Sequence, residues 1–194
     1  VVFNFHAWSR NSAGCLFTND RLPGMKELAL SYGSVFNDLH DTHGVECLHA
    51  LLLKKGRRAA LVEMQGQWRV EPDSLERVKN GIYNVMATLG MIRRPLALPR
   101  PQFKLTGEVT VTAPCAGLFI PLKAVEQPVR KDELVGYLLD LDTGARADIL
   151  SPADGAVWLV ARTGAAADVR LEGLHAYADK GDLLVLVKKV EAVG

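Results

Sequence analysis

The apolar positions in the first half of the chain switch between two periods. Val1–Phe5 is a short β-rich run ending at His6, and Ala59–Met64 is a compact apolar run with one charge, Glu63; both predict strands. Met25, Leu28, Ala29 and Tyr32 recur at helical spacing after the breaker Pro23-Gly24. Cys47–Lys55 is a leucine-rich helical run closed by Gly56. The strongest helical pattern can be capped by Asp73 or Ser74. It puts Leu75, Val78, Ile82, Val85, Met86 and Leu89 on one apolar face and stops at Gly90. Strands alternating with helices predict an α/β layer structure over residues 1–98.

Arg93–Pro101 then breaks the pattern, because three prolines in seven residues neither continue a helix nor sit in a central strand. Residues 99–194 read as an all-β module of short runs: Glu108–Thr112, Gly117–Pro121, Leu134–Asp140, Gly155–Val160 and Leu183–Val187. The module repeats itself. Ala113-Pro114-Cys115-Ala116-Gly117 precedes Val129–Leu134, and Ser151-Pro152-Ala153-Asp154-Gly155 precedes Ala178–Leu183, so each half runs Pro-x-x-Gly, strand, Lys-containing turn, apolar strand. Two such halves predict a small sandwich with pseudo-twofold symmetry.

Composition narrows the function classes. With 194 residues, 48% of them hydrophobic, the chain has enough apolar surface for a packed core. A net charge of +1 gives no electrostatic footprint for nucleic acid. No apolar run approaches the length of a membrane span. Cys15, Cys47 and Cys115 are an odd, widely spaced set, which predicts free thiols and a cytoplasmic setting. The chain opens on Val1 inside a strand-like run, so the natural protein is expected to extend upstream.

The half-repeat resembles the barrel-sandwich fold of biotinyl and lipoyl domains. Those carriers present a modifiable Lys at a hairpin tip, whereas the stretch between the halves here is Leu141-Asp142-Thr143-Gly144-Ala145, without one, which disfavours a carrier. The order of the pieces says more: a strand ending in His6, then Glu63 in Leu61-Val62-Glu63-Met64-Gln65-Gly66, a helix ending Leu89-Gly90-Met91, a proline linker and the sandwich. This order resembles the succinylglutamate desuccinylase/aspartoacylase family of zinc-dependent deacylases. The resemblance implies a partial carboxypeptidase-like α/β/α catalytic domain over 1–98, followed by the barrel-sandwich domain over 99–194.

By the same resemblance, His6 in Asn4-Phe5-His6 is a zinc ligand, with Asn4 where the family carries Asp, and Glu63 is the general base and acid. One Zn2+ per subunit is expected. The remaining ligands are either upstream of Val1 or supplied by His43 and Glu46, whose His43-Gly44-Val45-Glu46 stretch fits His-x-x-Glu and is flanked by His40 and His49. In the family this pair precedes the later His, and here it follows His6, so a pocket-lining role for His40 and His43 is the other reading. Gln65, Gln67, Trp68 and Arg69 are candidates for substrate contact, Tyr177 and His175 for the pocket mouth, and Arg57-Arg58 for a solvated turn.

The chemistry is consistent with those residue types. A catalytic zinc keeps three protein ligands and an open position for water, whose pKa it brings to about 7. A carboxylate beside that water can take its proton and pass it to the leaving amine. Glu63 is the single charge in an otherwise apolar strand, where a carboxylate is costly unless paired or functional. The expected activity is hydrolysis of the acyl-amide bond of a small N-acyl amino acid or related amine, with no nucleic-acid or membrane partner and with homo-oligomerisation in view. The alternative is a catalytically degenerate member acting as a binding or scaffolding module.

Overall fold

The computed structural model describes residues 1–7, 11–40, 47–65, 72–99, 101–161 and 176–193. The chain divides into two compact units. The first holds Val1–Trp8, Gly14–Leu105 and Glu191–Gly194, and the second Ser9–Ala13 and Thr106–Val190.

In the first unit β1 (Val2–Ala7), β2 (Cys15–Phe17), β3 (Phe36–Asp38), β4 (Ala59–Met64) and the start of β5 (Gln102–Thr112) form a sheet in the order β1-β4-β2-β3-β5. β4 is parallel to β1 and antiparallel to β2, while β2, β3 and β5 run parallel in sequence. The central β4 is buried from Ala59 to Glu63. Its side chains alternate. Ala60 and Val62 join Leu16, Met25, Leu28, Ala29, Tyr32, Leu39 and Val85 in a core against which Phe3 and Phe5 also pack. Ala59, Leu61 and Glu63 therefore take the opposite face, as do Asn4 and His6 of β1.

Three helices complete this unit: α1 (Met25–Tyr32), α2 (Leu48–Lys54) and α3 (Pro72–Thr88). α1 coincides with the helix the sequence predicts, and it ends at Gly33 in the left-handed region. α2 starts after Cys47 and turns out through Gly56, φ +68°. α3 is helical already at Pro72, before the predicted Asp73 or Ser74 cap. Its predicted apolar face is corrected by the packing. Gly81, Asn84 and Val85 are buried, and Leu75, Ile82 and Leu89 are exposed. The helix is rolled this way because α1 meets it through Tyr32, whose ring lies where a side chain at Gly81 would project.

The proline segment is anchored within the same unit. Asn84 Nδ2 donates to the Ala97 carbonyl at 2.9 Å, and the Ala97 amide donates back to Asn84 Oδ1 at 2.9 Å. Gly33 lies under Leu98 and Pro99, with room for little more than a hydrogen.

The second unit is built of strands in two sheets. One runs β5, β12 (Leu183–Val193), β10 (Gly155–Val160), β7 (Pro128–Val129); the other runs β11 (Tyr177–Ala178), β6 (Gly117–Pro121), β8 (Leu134–Leu139), β9 (Arg146–Leu150). Neighbours β6–β8, β8–β9, β11–β6, β10–β7 and β10–β12 are antiparallel. Phe119, Val135, Leu138, Ile149 and Ala178 of one sheet share a core with Val129, Val157, Leu184, Val185 and Val187 of the other. Among the described residues no helix is long and apolar enough to cross a membrane.

Candidate active site

The parallel ladder between β1 and β4 aligns Val2 with Ala59 and, four positions on, His6 with Glu63. Paired residues of parallel strands project to the same side, so the two side chains meet: His6 Nδ1 lies 3.5 Å from Glu63 Oε1. On the other flank β2 aligns Cys15 with Glu63. Gly14 passes close to the backbone, its would-be Cβ 3.4 Å from the Glu63 carbonyl oxygen.

The two groups differ in solvent access. The Glu63 side chain is 6% exposed and that of His6 46%. Burial pushes the Glu63 carboxyl above the usual carboxylate range, and the charge and hydrogen bond of His6 pull it partly back. The far side of the imidazole is occupied too, with Asn4 Nδ2 3.1 Å from His6 Nε2. If Asn4 donates to Nε2, the ring proton resides on Nδ1 and points at Glu63. The site is thus a buried, proton-accepting carboxylate with an imidazole between it and solvent.

Other candidates fall elsewhere. Gln65 Oε1 accepts from Ser74 Oγ at 3.5 Å and Arg77 Nη2 at 3.4 Å, which ties the end of β4 to the start of α3. His40 lies just after β3, bridged to Asn19 and 4.0 Å from Asp20. Arg57 and Arg58 are exposed, as a solvated turn requires. Tyr177 is exposed in the second unit. His43, Glu46, Gln67, Trp68, Arg69 and His175 lie outside the described residues. Among the described residues no three His, Cys, Asp or Glu side chains cluster to hold a metal.

Sequence reading missed two features. Cys15 is placed beside Glu63 by strand pairing alone, which no local motif announces. Cys47 Sγ lies 2.7 Å from Nδ1 of the fully buried His49, a contact that the Cys-x-His spacing could have suggested.

The sequence matches no protein-family model and no curated relative. Solved structures do match. A succinylglutamate desuccinylase/aspartoacylase from Rhodobacter sphaeroides superposes with a TM-score of 0.73 at 22% identity, over 98% of this chain and 58% of that one. The chain has the fold of the succinylglutamate desuccinylase/aspartoacylase proteins. The ectoine utilization protein EutE (DoeB) from Ruegeria pomeroyi gives 0.73 at 15% identity, over 96% and 59%. An aspartoacylase family protein from Mesorhizobium loti gives 0.65 at 16%, over 96% and 62%. The chain therefore spans about three-fifths of the length of these solved structures, and the fold resemblance expected from its sequence is borne out.

Proposed function

We propose that this chain is the later part of a metal-dependent hydrolase that cleaves the acyl-amide bond of a small N-acyl amino acid or related amine. On this reading the first unit contributes the C-terminal portion of the catalytic domain and the second is a barrel-sandwich domain. One observation carries it: the in-register approach of His6 to a buried, proton-accepting Glu63 at the ends of two parallel strands.

The donor set fits one corner of a zinc site. An imidazole that ligates through one nitrogen is held at the other by a carboxylate or amide; with Nδ1 held by Glu63, His6 would offer Nε2 to a metal once Asn4 releases it. A three-ligand site needs two further donors beyond His6. Zinc bound there would supply a water acidified to near neutrality. Glu63 then does the proton work. Its raised affinity for a proton suits a group that takes one from water and returns it to a departing amine. Its burial keeps bulk water from competing for that proton, and His6 keeps its Oε1 oriented.

The test is Glu63→Gln in the complete protein, assayed on N-acyl amino acids with zinc content measured in parallel. The expected result is loss of hydrolysis by about a hundredfold or more with bound zinc unchanged. Undiminished turnover would remove Glu63 from the reaction.

A further inference from the structure

The strand that carries His6 also carries the residue that meets its second ring nitrogen. Asn4 and His6 are two positions apart on β1, so both leave the sheet on the face opposite Phe3 and Phe5, about 7 Å apart along the strand. A short amide leaning along the strand spans that gap, and Asn4 Nδ2 reaches His6 Nε2 at 3.1 Å. Across the ladder the amide meets no polar side chain, because β4 sets the buried, apolar Leu61 opposite Asn4. On its other side β1 is the outermost strand of its sheet. Among the described residues, the hydrogen bond to His6 is the one that the Asn4 side chain makes.

The two contacts of the ring make the same demand. A neutral imidazole has one N–H and one acceptor nitrogen. The amide nitrogen of Asn4 can only donate, which requires the lone pair on Nε2. The carboxylate of Glu63, 3.5 Å from Nδ1, is served by an N–H there. Both neighbours therefore place the ring proton on Nδ1. The same bond has a second effect. Nε2 is the nitrogen that Glu63 does not occupy, and its lone pair is the one the ring can offer to a metal. The Asn4 amide covers that lone pair.

We propose that Asn4 is a positioning residue that acts through His6: it sets the ring tautomer of the metal-free chain and holds Nε2 closed until its amide turns away. One side-chain rotation then opens the nitrogen, with β1 staying in place. Only the fraction of molecules with Asn4 turned away can offer Nε2, so the apparent affinity for a metal is reduced by that fraction. The closed-nitrogen role rests on the zinc-site reading of His6, and the tautomer role does not. The bond at stake is a single neutral one, so losing it should change the tautomer ratio and the metal affinity by between about twofold and tenfold.

The test has two arms. The first records nitrogen–proton NMR spectra of the histidine rings in the metal-free chain at alkaline pH, with His6 identified by its loss in His6→Gln. The expected result is a protonated Nδ1 and an unprotonated Nε2 in the wild type. In Asn4→Leu the population should move towards the Nε2–H form by about twofold to tenfold. A wild-type ring protonated at Nε2, or an unchanged ratio in Asn4→Leu, would overturn the proposal, and the wild-type spectrum decides even where the variant does not fold. The second arm titrates zinc into the complete protein. Asn4→Leu is expected to bind it about twofold to tenfold more tightly than the wild type. Equal or weaker binding, with otherwise native spectra, would overturn the closed-nitrogen role. Zinc affinity unchanged in His6→Gln would overturn the zinc-site reading and the closed-nitrogen role together, and the tautomer role would still stand or fall on the first arm.

Discussion

His6 and Glu63 stand opposite each other on two hydrogen-bonded parallel strands, with Nδ1 3.5 Å from Oε1. Strand pairing, more than side-chain packing, sets that spacing. Burial is the largest influence on the Glu63 carboxyl and raises its pKa, with His6 compensating only in part. Folding therefore disfavours the ionised form at neutral pH. Glu63→Gln is expected to raise the unfolding midpoint of the metal-free chain, by up to about 1 kcal/mol in stability. Urea denaturation checks it, and a fall in midpoint would mean that the imidazole contact outweighs desolvation.

Gly81 is a second test of packing. An added Cβ would enter the ring of Tyr32, which is buried and stacked on Phe3 with centroids 5.8 Å apart. Ala ordinarily gains about 1 kcal/mol over Gly inside a helix. Here the clash dominates, because the buried ring also packs against Phe3 and Phe5. Gly81→Ala should destabilise the first unit by roughly 2 kcal/mol in equilibrium denaturation.

Acid should loosen the second unit through two half-buried carboxylates. The Lys123 ammonium, then the Arg130 amide, hold Glu133 below the usual carboxylate range; the Thr143 amide, then that of Asp142, do the same for Asp140. For an acid whose folded pKa is depressed, the stabilisation is present above its unfolded pKa and is lost as pH falls through the folded one. Unfolding midpoints should accordingly drop between neutral and acid pH. In Lys123→Met the drop should be smaller, since the largest influence on Glu133 is gone.

Asn84 offers a fourth measurement. It is fully buried in α3 and exchanges two hydrogen bonds with Ala97. Asn84→Ala leaves both Ala97 groups without these partners and is expected to cost about 2 kcal/mol. Faster hydrogen exchange at the Ala97 amide would localise the effect.

These residues also show what could be read in advance. Ala59–Met64 was legible because a central strand buried on both faces is a continuous apolar run, against which one carboxylate stands out. α1 was legible because Pro23-Gly24 and Gly33 bracket its period. β2 and β3 were not, since each is three residues long and β3 reads Phe36-Asn37-Asp38, two turn-type residues made strand-like by pairing. Asn37 is fully buried there, with Nδ2 donating to the Ser34 carbonyl at 3.1 Å. The face of α3 misled because periodicity reports where apolar residues lie, while its packing was decided by the small Gly81 and the hydrogen-bonding Asn84. At the site, the family resemblance led to the expectation that His6 and Glu63 converge from neighbouring strand ends, and the ladder register gives the way they meet.

The Asn84–Ala97 clasp bears on how the protein is handled. A stretch with three prolines invites use as a cutting point for preparing each half alone. Ending the chain ahead of Pro95 would deprive Asn84 of both its bonds to Ala97, strip the cover from Gly33 and remove β5 from the sheet beside β3. A stable first half has to retain the peptide through Leu105, prolines included.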